Sequence, residues 1–440
     1  STSESELMHA IRYDKEAISE VFVENVESTL DVILKGIIKD TNSKISSISF
    51  GESKEKSIHP QKEYSQAKTN TLDTLFQEVF KTNKDRIAIR NETASFSYQA
   101  LSTMVNQVAH FISPFTQNSG VGVAVMLDQK VDLPAILLGV WMRGAYYIPI
   151  PSDCPEERVK EILKDSGANV LITNRLDIGA MEIPIVYWSL NMWNKSWNQE
   201  PKWEQRNSES IAYMIYTSGT SGKPKGVKVG DKALINYSHW LKEEFHIEKG
   251  AVSSMLSSYA FDLVYTAFWG ALCNGAQICI PSTEIILNAE KLVNHIVDEK
   301  LTFVKLTPSH LKIIKEAGNL NLLKESSLQY LFLGGEPIQV EDVKELRKLI
   351  PNCKIINHYG PTETTIGVVF AELPLNLDDY AQQPWIGKPI ANTTAFILNK
   401  VNKPLGAGQV GELSISGVSL SLGYNNRKEL NEEKFIEIDV

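Results

Sequence analysis

Residues Tyr216 to Val227 read YTSGTSGKPKGV, with three glycines, two lysines and four hydroxyls besides Tyr216: Thr217, Ser218, Thr220 and Ser221. This composition suits an anion. Small residues let backbone N–H groups approach it, hydroxyls add hydrogen bonds, and lysines add charge. Phosphate is the natural candidate. A Walker-type loop needs Gly, four residues, then Gly-Lys-Ser/Thr opening a helix. Here Gly222-Lys223 is followed by Pro224, and no glycine stands five positions earlier. The flanks IAYMIY and VKV are β-prone. The segment therefore reads as a strand–loop–strand hairpin rather than a helix N-terminus.

The elements that must position this loop follow a regular pattern. From 120 to 180, GVGVAVML, AYYIPI and ANVLIT read as buried strands. Between them DLPAILLGVWMRG and PEERVKEILKDSG read as helices, the first capped by Gly144 and the second opened by Pro155. Strands alternating with helices predict an α/β fold with a largely parallel sheet covered on both faces. Residues 14–39 place Ile18, Phe22, Val26, Leu30, Ile33 and Ile37 on one helical face. A charged, Ser-rich stretch over 51–70 reads as a linker, and a new start follows at about residue 71. The net charge of −9 and the absence of a Lys/Arg block argue against a nucleic-acid surface. Cys154, Cys273, Cys279 and Cys353 are widely spaced and read as reduced thiols of a cytoplasmic protein. No apolar run reaches membrane-spanning length, and no signal-peptide pattern opens the chain.

TSGTSGKPKG resembles the phosphate-loop motif T-S-G-T-S/T-G-x-P-K-G of adenylate-forming enzymes: acyl-CoA synthetases, luciferases and adenylation domains of nonribosomal peptide synthetases. GAYYIPIPSDCPEER, SSYAFDLVYTAFWGAL, LFLGGEPI, NHYGPTETTIG and GELSISGVSLSLGYNNR resemble further motifs of that family, in its order. The resemblance covers roughly residues 70 to 440. It implies an N-terminal core of mostly parallel sheets flanked by helices, with a small β-barrel-like subdomain near the C-terminal end. It implies that ATP and Mg2+ are used: a carboxylate attacks the α-phosphorus, giving an acyl-AMP and pyrophosphate. Thr217, Ser218, Gly219, Thr220, Ser221, Gly222 and Lys225 would hold the triphosphate, Thr362 would contact the α-phosphate, and Glu363 would carry the metal. Tyr359 and the Gly334-Gly335-Glu336-Pro337 backbone would enclose adenine beside Gly360, and Asn357 would read its amino edge with a paired donor and acceptor. Residues 1–50 resemble the tail of a condensation domain. The family's Y-R-T-G-D segment and the catalytic lysine of its small C-terminal domain do not occur in these residues, which implies weak activity for the chain by itself or, as the alternative, a module that only binds amino acid and ATP. Carrier-protein and condensation domains, and an MbtH-like protein, are the implied partners.

In amino-acid-activating members, an aspartate at the position of Asp262 binds the substrate's α-ammonium. The remaining pocket positions are Phe261, Leu263, Thr266, Lys305, Phe332, Gly334, His358, Ile366 and Gly367. Lys305 lies in the apolar strand LTFVKLTP, where an inward lysine needs an anion or loses its charge. His358 can donate a second hydrogen bond to the same anion. The pattern resembles that of aspartate-activating domains. Glutamate stays open as an alternative, because one methylene discriminates only modestly, as do asparagine and β-substituted aspartates, the latter fitting the same charges.

Overall fold

A computed structural model describes residues 10–14, 20–39, 59–60, 71–189, 202–218, 224–406 and 408–438. Most of the expected linker and loop residues 219–223 lie outside them. The described chain divides into two compact units.

The larger unit, Gln61–Thr393 with Gly417–Ile436, contains three sheets. In the first, Gly122–Met126 is buried throughout and pairs in parallel with both Tyr146–Pro149 and Val170–Thr173. Ile211–Ser218 joins in parallel beyond Tyr146–Pro149, and Pro224–Gly230 closes the edge as its antiparallel partner. The helix Leu133–Met142 is apolar on every face and buried at every residue, as a helix inside a large core must be. Gly144 and Gly167 follow their helices in left-handed conformation (φ +64 each), which stops the helix at little steric cost.

A buried ion pair anchors the hairpin to this sheet. Arg206 donates to both carboxylate oxygens of Asp231, 2.7 Å each, and to the carbonyls of Ala145 and Ile211. The backbone N–H of Leu72 donates to Asp231 as well, so the helix Leu72–Asn83 starts on the same anchor.

A second sheet, ordered Val252–Ser254, Gln277–Cys279, Ile87–Arg90, Ser95–Ser97, has parallel pairing except at its last pair. The third runs parallel through Phe303–Leu306, Tyr330–Leu333 and Lys354–Tyr359, then antiparallel through Val369–Glu372 and Lys388–Pro389. All four cysteines are free and buried. Among the described residues, no helix is long and apolar enough to cross a membrane.

The smaller unit holds the helix Glu20–Lys39 and an antiparallel pairing of His59–Pro60 with Thr393–Leu398, extended by Glu412–Gly417. The sequence led us to expect a barrel-like subdomain here. Among the described residues it is an open three-stranded sheet instead. Closure requires first and last strands to meet, and three strands cannot curl that far.

Candidate functional site

The hairpin register sets one side of the site. Thr217 stands opposite Lys225, and Ser218 opposite Pro224. The Thr217 hydroxyl is buried and has no hydrogen-bond partner among the described residues. Gly219, Thr220, Ser221 and Gly222 lie outside the described residues. The Nζ of Lys225 donates to Oε1 of Glu363 at 3.0 Å, across 138 positions of sequence. Glu363 and Thr362 sit in the short 3-10 turn Thr362–Thr364 that follows Gly360-Pro361.

Sequence reasoning assigned Tyr424 no role, yet it completes this cluster. Its hydroxyl donates to Glu363 Oε1 at 2.6 Å and accepts from Lys225 at 3.2 Å. Burial alone would raise the Glu363 carboxyl, but the hydrogen bonds from Tyr424 and Lys225 outweigh it, and its pKa lies below the ordinary value. The signal was present in GYNNR, but a motif does not say what its tyrosine touches.

A metal must be tested against this donor set. Among the described residues no group of three or more His, Cys, Asp or Glu could hold one with protein ligands alone. One partly exposed carboxylate beside Lys225 fits magnesium, which keeps water and phosphate oxygens as its other ligands.

The middle of the site lies at the C-terminal ends of the parallel strands in the third sheet, where open α/β sheets bind ligands. Gly335 takes φ +84 after Tyr330–Leu333, and Tyr359 ends Lys354–Tyr359 with 42% of its surface exposed. Gly335 and Pro337 are exposed, whereas Gly360 is partly buried. The Glu336 carboxylate turns away to accept from the N–H and hydroxyl of Ser309, at the start of the helix Pro308–Lys315. Asn357 differs from expectation. Its amide donates to the Tyr380 hydroxyl at 3.1 Å and the Trp385 carbonyl at 3.0 Å. Both amide hydrogens are engaged, so only the carbonyl oxygen is left to meet a ligand.

The far side is buried and aromatic. Asp262 opens the 3-10 turn Asp262–Thr266, whose N-cap position is Phe261. Its Oδ2 is buried with no hydrogen-bond partner among the described residues. Burial lifts its pKa to about 6, against hydrogen bonds from the Thr362 hydroxyl and the Ile366 N–H. Ile366 and its neighbour Thr365 both hold positive φ (+67 and +61), rare for β-branched residues, so this turn carries backbone strain.

Lys305 is 4% exposed and His358 2%. Two donors side by side were expected, but the structure holds a donor and an acceptor. Lys305 Nζ lies 2.8 Å from His358 Nδ1, where the ammonium donates and the ring nitrogen accepts. Burial, then the neighbouring lysine, pushes His358 well below its ordinary value, so the ring is neutral. Burial lowers Lys305 to about 7, with Asp262 pulling the other way. The chain continues from His358 Nε2 to the Tyr237 hydroxyl (3.4 Å) and on to Thr266 Oγ1 (2.8 Å).

Two glycines make room for this chain. A Cβ at Gly334 would stand 2.2 Å from the His358 carbonyl oxygen and 2.5 Å from Lys305 Nζ. One at Gly367 would stand 2.1 Å from the His358 ring. Trp240 stacks on that ring at 5.7 Å, and Phe332 meets it edge-on at 6.0 Å. Leu263 lies against Gly335, whereas the Phe261 ring is exposed. Tyr237 and Trp240 were not singled out from sequence. They sit on the helix Asp231–Phe245, and their apolar spacing reads as core.

Together these features define an α/β protein whose site joins a lysine-bearing hairpin to parallel strand ends and a buried polar pocket. The AMP-binding enzyme family matches residues 76–425, and the chain belongs to that family. It is 34% identical over 411 residues to surfactin synthase subunit 2 of Bacillus subtilis (strain 168), covering 92% of this chain and 11% of that protein. It is 32% identical over 370 residues to bacitracin synthase 3 of Bacillus licheniformis, covering 83% and 6%. The chain thus spans a small part of these two relatives. Among solved structures, the four-domain nonribosomal peptide synthetase AB3403, bound to AMP and glycine, matches with TM-score 0.82 at 23% identity, over 96% of this chain and 31% of that one. The N-terminal subdomain of Klebsiella oxytoca NpsA, in complex with 3-hydroxybenzoyl-AMSN, matches with TM-score 0.74 at 20% identity, over 84% and 93%.

Proposed function

We propose that this chain is the adenylation core of a nonribosomal peptide synthetase and that it activates L-aspartate. The reaction is ATP plus aspartate to aspartyl-AMP plus pyrophosphate. The aspartate α-carboxylate forms a bond to the α-phosphorus as the bond to pyrophosphate breaks. Such chemistry asks the protein for positioning and charge stabilisation rather than a covalent nucleophile. Thr217, Lys225 and the hairpin loop hold the β- and γ-phosphates, and Thr362 meets the α-phosphate. Magnesium bound at Glu363 would neutralise triphosphate charge. Tyr359 and the Gly334–Gly335 backbone enclose adenine, with the Asn357 carbonyl oxygen accepting from its amino group.

Asp262 takes the substrate's α-ammonium on its unpartnered Oδ2. Lys305 takes the side-chain carboxylate while neutral His358 holds the Lys305 ammonium in place by accepting one of its hydrogen bonds. One observation carries the substrate reading: a lysine 4% exposed whose hydrogen-bond partner is a neutral ring. A buried cation with no anion beside it is costly, and a ligand carboxylate removes that cost. The named relatives support the synthetase setting. In that setting residues 1–50 are the tail of a condensation domain, 51–70 a linker and 71–440 the core. Carrier-protein and condensation domains, and an MbtH-like protein, are partners in the cytoplasm.

The test is a thermal-shift panel of the twenty amino acids with ATP and Mg2+, because a ligand stabilises by RT ln(1 + [L]/Kd). Aspartate should give the largest shift. A larger shift from glutamate, asparagine or a β-substituted aspartate would reassign the substrate. No shift from ATP would remove the adenylation reading.

A further inference from the structure

Tyr424 stands apart from the expected site residues because three separate devices fix it in place. Its segment is stitched along the free edge of Pro224–Gly230: Lys228 N–H donates to the Gly423 carbonyl, Leu422 N–H to the Lys228 carbonyl, and Asn425 N–H to the Gly226 carbonyl. Its own backbone is clamped by the Asn431 side chain, which accepts from the Tyr424 N–H at 2.7 Å and donates to its carbonyl at 2.9 Å. Its ring packs edge-on against Phe435 at 5.7 Å and lies under Lys225, whose Nζ is 4.5 Å from the ring centre. The residue is 3% exposed.

So rigid a mounting is more than packing a tyrosine requires. What the mounting presents is a hydroxyl that touches both Lys225 and Glu363. Lys225 comes from the hairpin and Glu363 from the turn after Gly360-Pro361, and nothing local in sequence sets their separation. The Ser421 N–H donates to the Glu363 carbonyl at 2.8 Å, so the same segment also grips the turn's backbone.

We propose that Tyr424 is a positioning residue of the nucleotide site. It holds the Lys225 ammonium by its ring and hydroxyl, and the Glu363 carboxylate by donation, so that both charges would be in place for a metal-bound triphosphate. This rests on the proposed binding of ATP.

The experiment is a double-mutant cycle of Tyr424→Phe and Lys225→Ala, read by calorimetric binding of ATP with Mg2+ to the 440-residue chain. Tyr424→Phe keeps the ring and removes the hydroxyl. It should weaken ATP about tenfold, the scale of one charge-assisted hydrogen bond. In the Lys225→Ala background the same change should cost less than about threefold, since one of its two partners is gone. Aspartate binding without nucleotide should not change, which separates positioning from a general loosening of the fold. Equal losses in both backgrounds, or unchanged ATP binding in Tyr424→Phe, would overturn the proposal. A wild-type chain that fails to bind ATP at all would overturn the nucleotide reading, and this inference with it.

Discussion

Lys225 and Lys305 solve opposite problems on two sides of one site. Lys225 is partly exposed and already neutralised, with Glu363 at 3.0 Å and the Tyr424 ring beneath it. Lys305 is buried, and the atom facing it is the lone pair of a neutral imidazole. A lysine hydrogen-bonded to a carboxylate already has a counter-charge and needs only to be redirected when a phosphate arrives. A lysine against a neutral ring is held at the edge of losing its proton, at about 7, until an anion comes. The first arrangement tolerates a large, hydrated, multiply charged ligand. The second selects a small ligand by whether it brings one negative charge to one point. Affinity for the nucleotide and choice of acid are therefore separable, and each can be broken without the other.

The largest separation is expected for Lys305→Met, which keeps length and removes charge. Losing one partner of a buried pair costs ~3–5 kcal/mol, and each ~1.4 kcal/mol is tenfold. Calorimetry should find aspartate weaker by about two to three orders of magnitude, with asparagine nearly unchanged and ATP unaffected. The unliganded variant should also melt higher than wild type near pH 7, because an apolar side chain replaces a buried amine that is charged about half the time against a neutral ring. Equal losses for aspartate and asparagine would make Lys305 a structural residue and end the substrate reading.

Lys225→Ala is the mirror image. ATP should bind about ten- to a hundredfold more weakly, the range of a charge-assisted hydrogen bond. Aspartate alone should bind as before. ATP should protect loop 217–226 from proteolysis in wild type and less in the variant. A loop cut at the same rate with and without ATP would remove its assignment.

His358→Glu places a carboxylate beside Lys305 and satisfies the lysine permanently. Aspartate is then repelled, while an amide gains an acceptor. The ratio of asparagine to aspartate affinity should rise at least about tenfold, and a ratio unmoved by the change would take His358 out of side-chain selection.

The proton balance sharpens the comparison further. Folded Lys305 titrates at about 7 against an ordinary 10.5, so the unfolded chain holds more protons between those values. Its contribution to stability therefore rises with pH across that window and is least favourable below pH 7. Aspartate recharges the lysine, so binding at pH 8 should take up as much as about one proton. Calorimetry in buffers of different ionisation enthalpy measures this, and Lys305→Met should abolish it. Asp262, at about 6, is already ionised there and adds little. The smallest effect is expected for Tyr237→Phe, which removes a 3.4 Å contact to His358. Aspartate should weaken by about threefold, and a tenfold loss would promote Tyr237 to a direct contact.

The sequence made the hairpin legible because its signal is local. β-prone flanks with a glycine-rich tip leave few alternatives to a hairpin, whereas the register that sets Thr217 opposite Lys225 came from the structure. The burial of Lys305 was equally legible, since a lysine amid Phe303, Val304 and Leu306 in a parallel strand has no wet face to reach. The aromatic box was not. Tyr237 and Trp240 carry ordinary helical spacing, and only the packing of that helix against the third sheet turns them toward His358.

By itself, then, the sequence determined which residue types stand at the site and the order in which the chain delivers them. Each follows from neighbours a few positions away. Tertiary structure decided the roles. Whether His358 gives or takes a hydrogen bond depends on a lysine 53 positions distant, whether Asn357 has donors to spare depends on Tyr380 and Trp385, and whether Glu363 is already engaged depends on Lys225 and Tyr424. A hydrogen bond is set by angle and tenths of an ångström between groups that meet only when distant strands align, and no local pattern encodes that meeting.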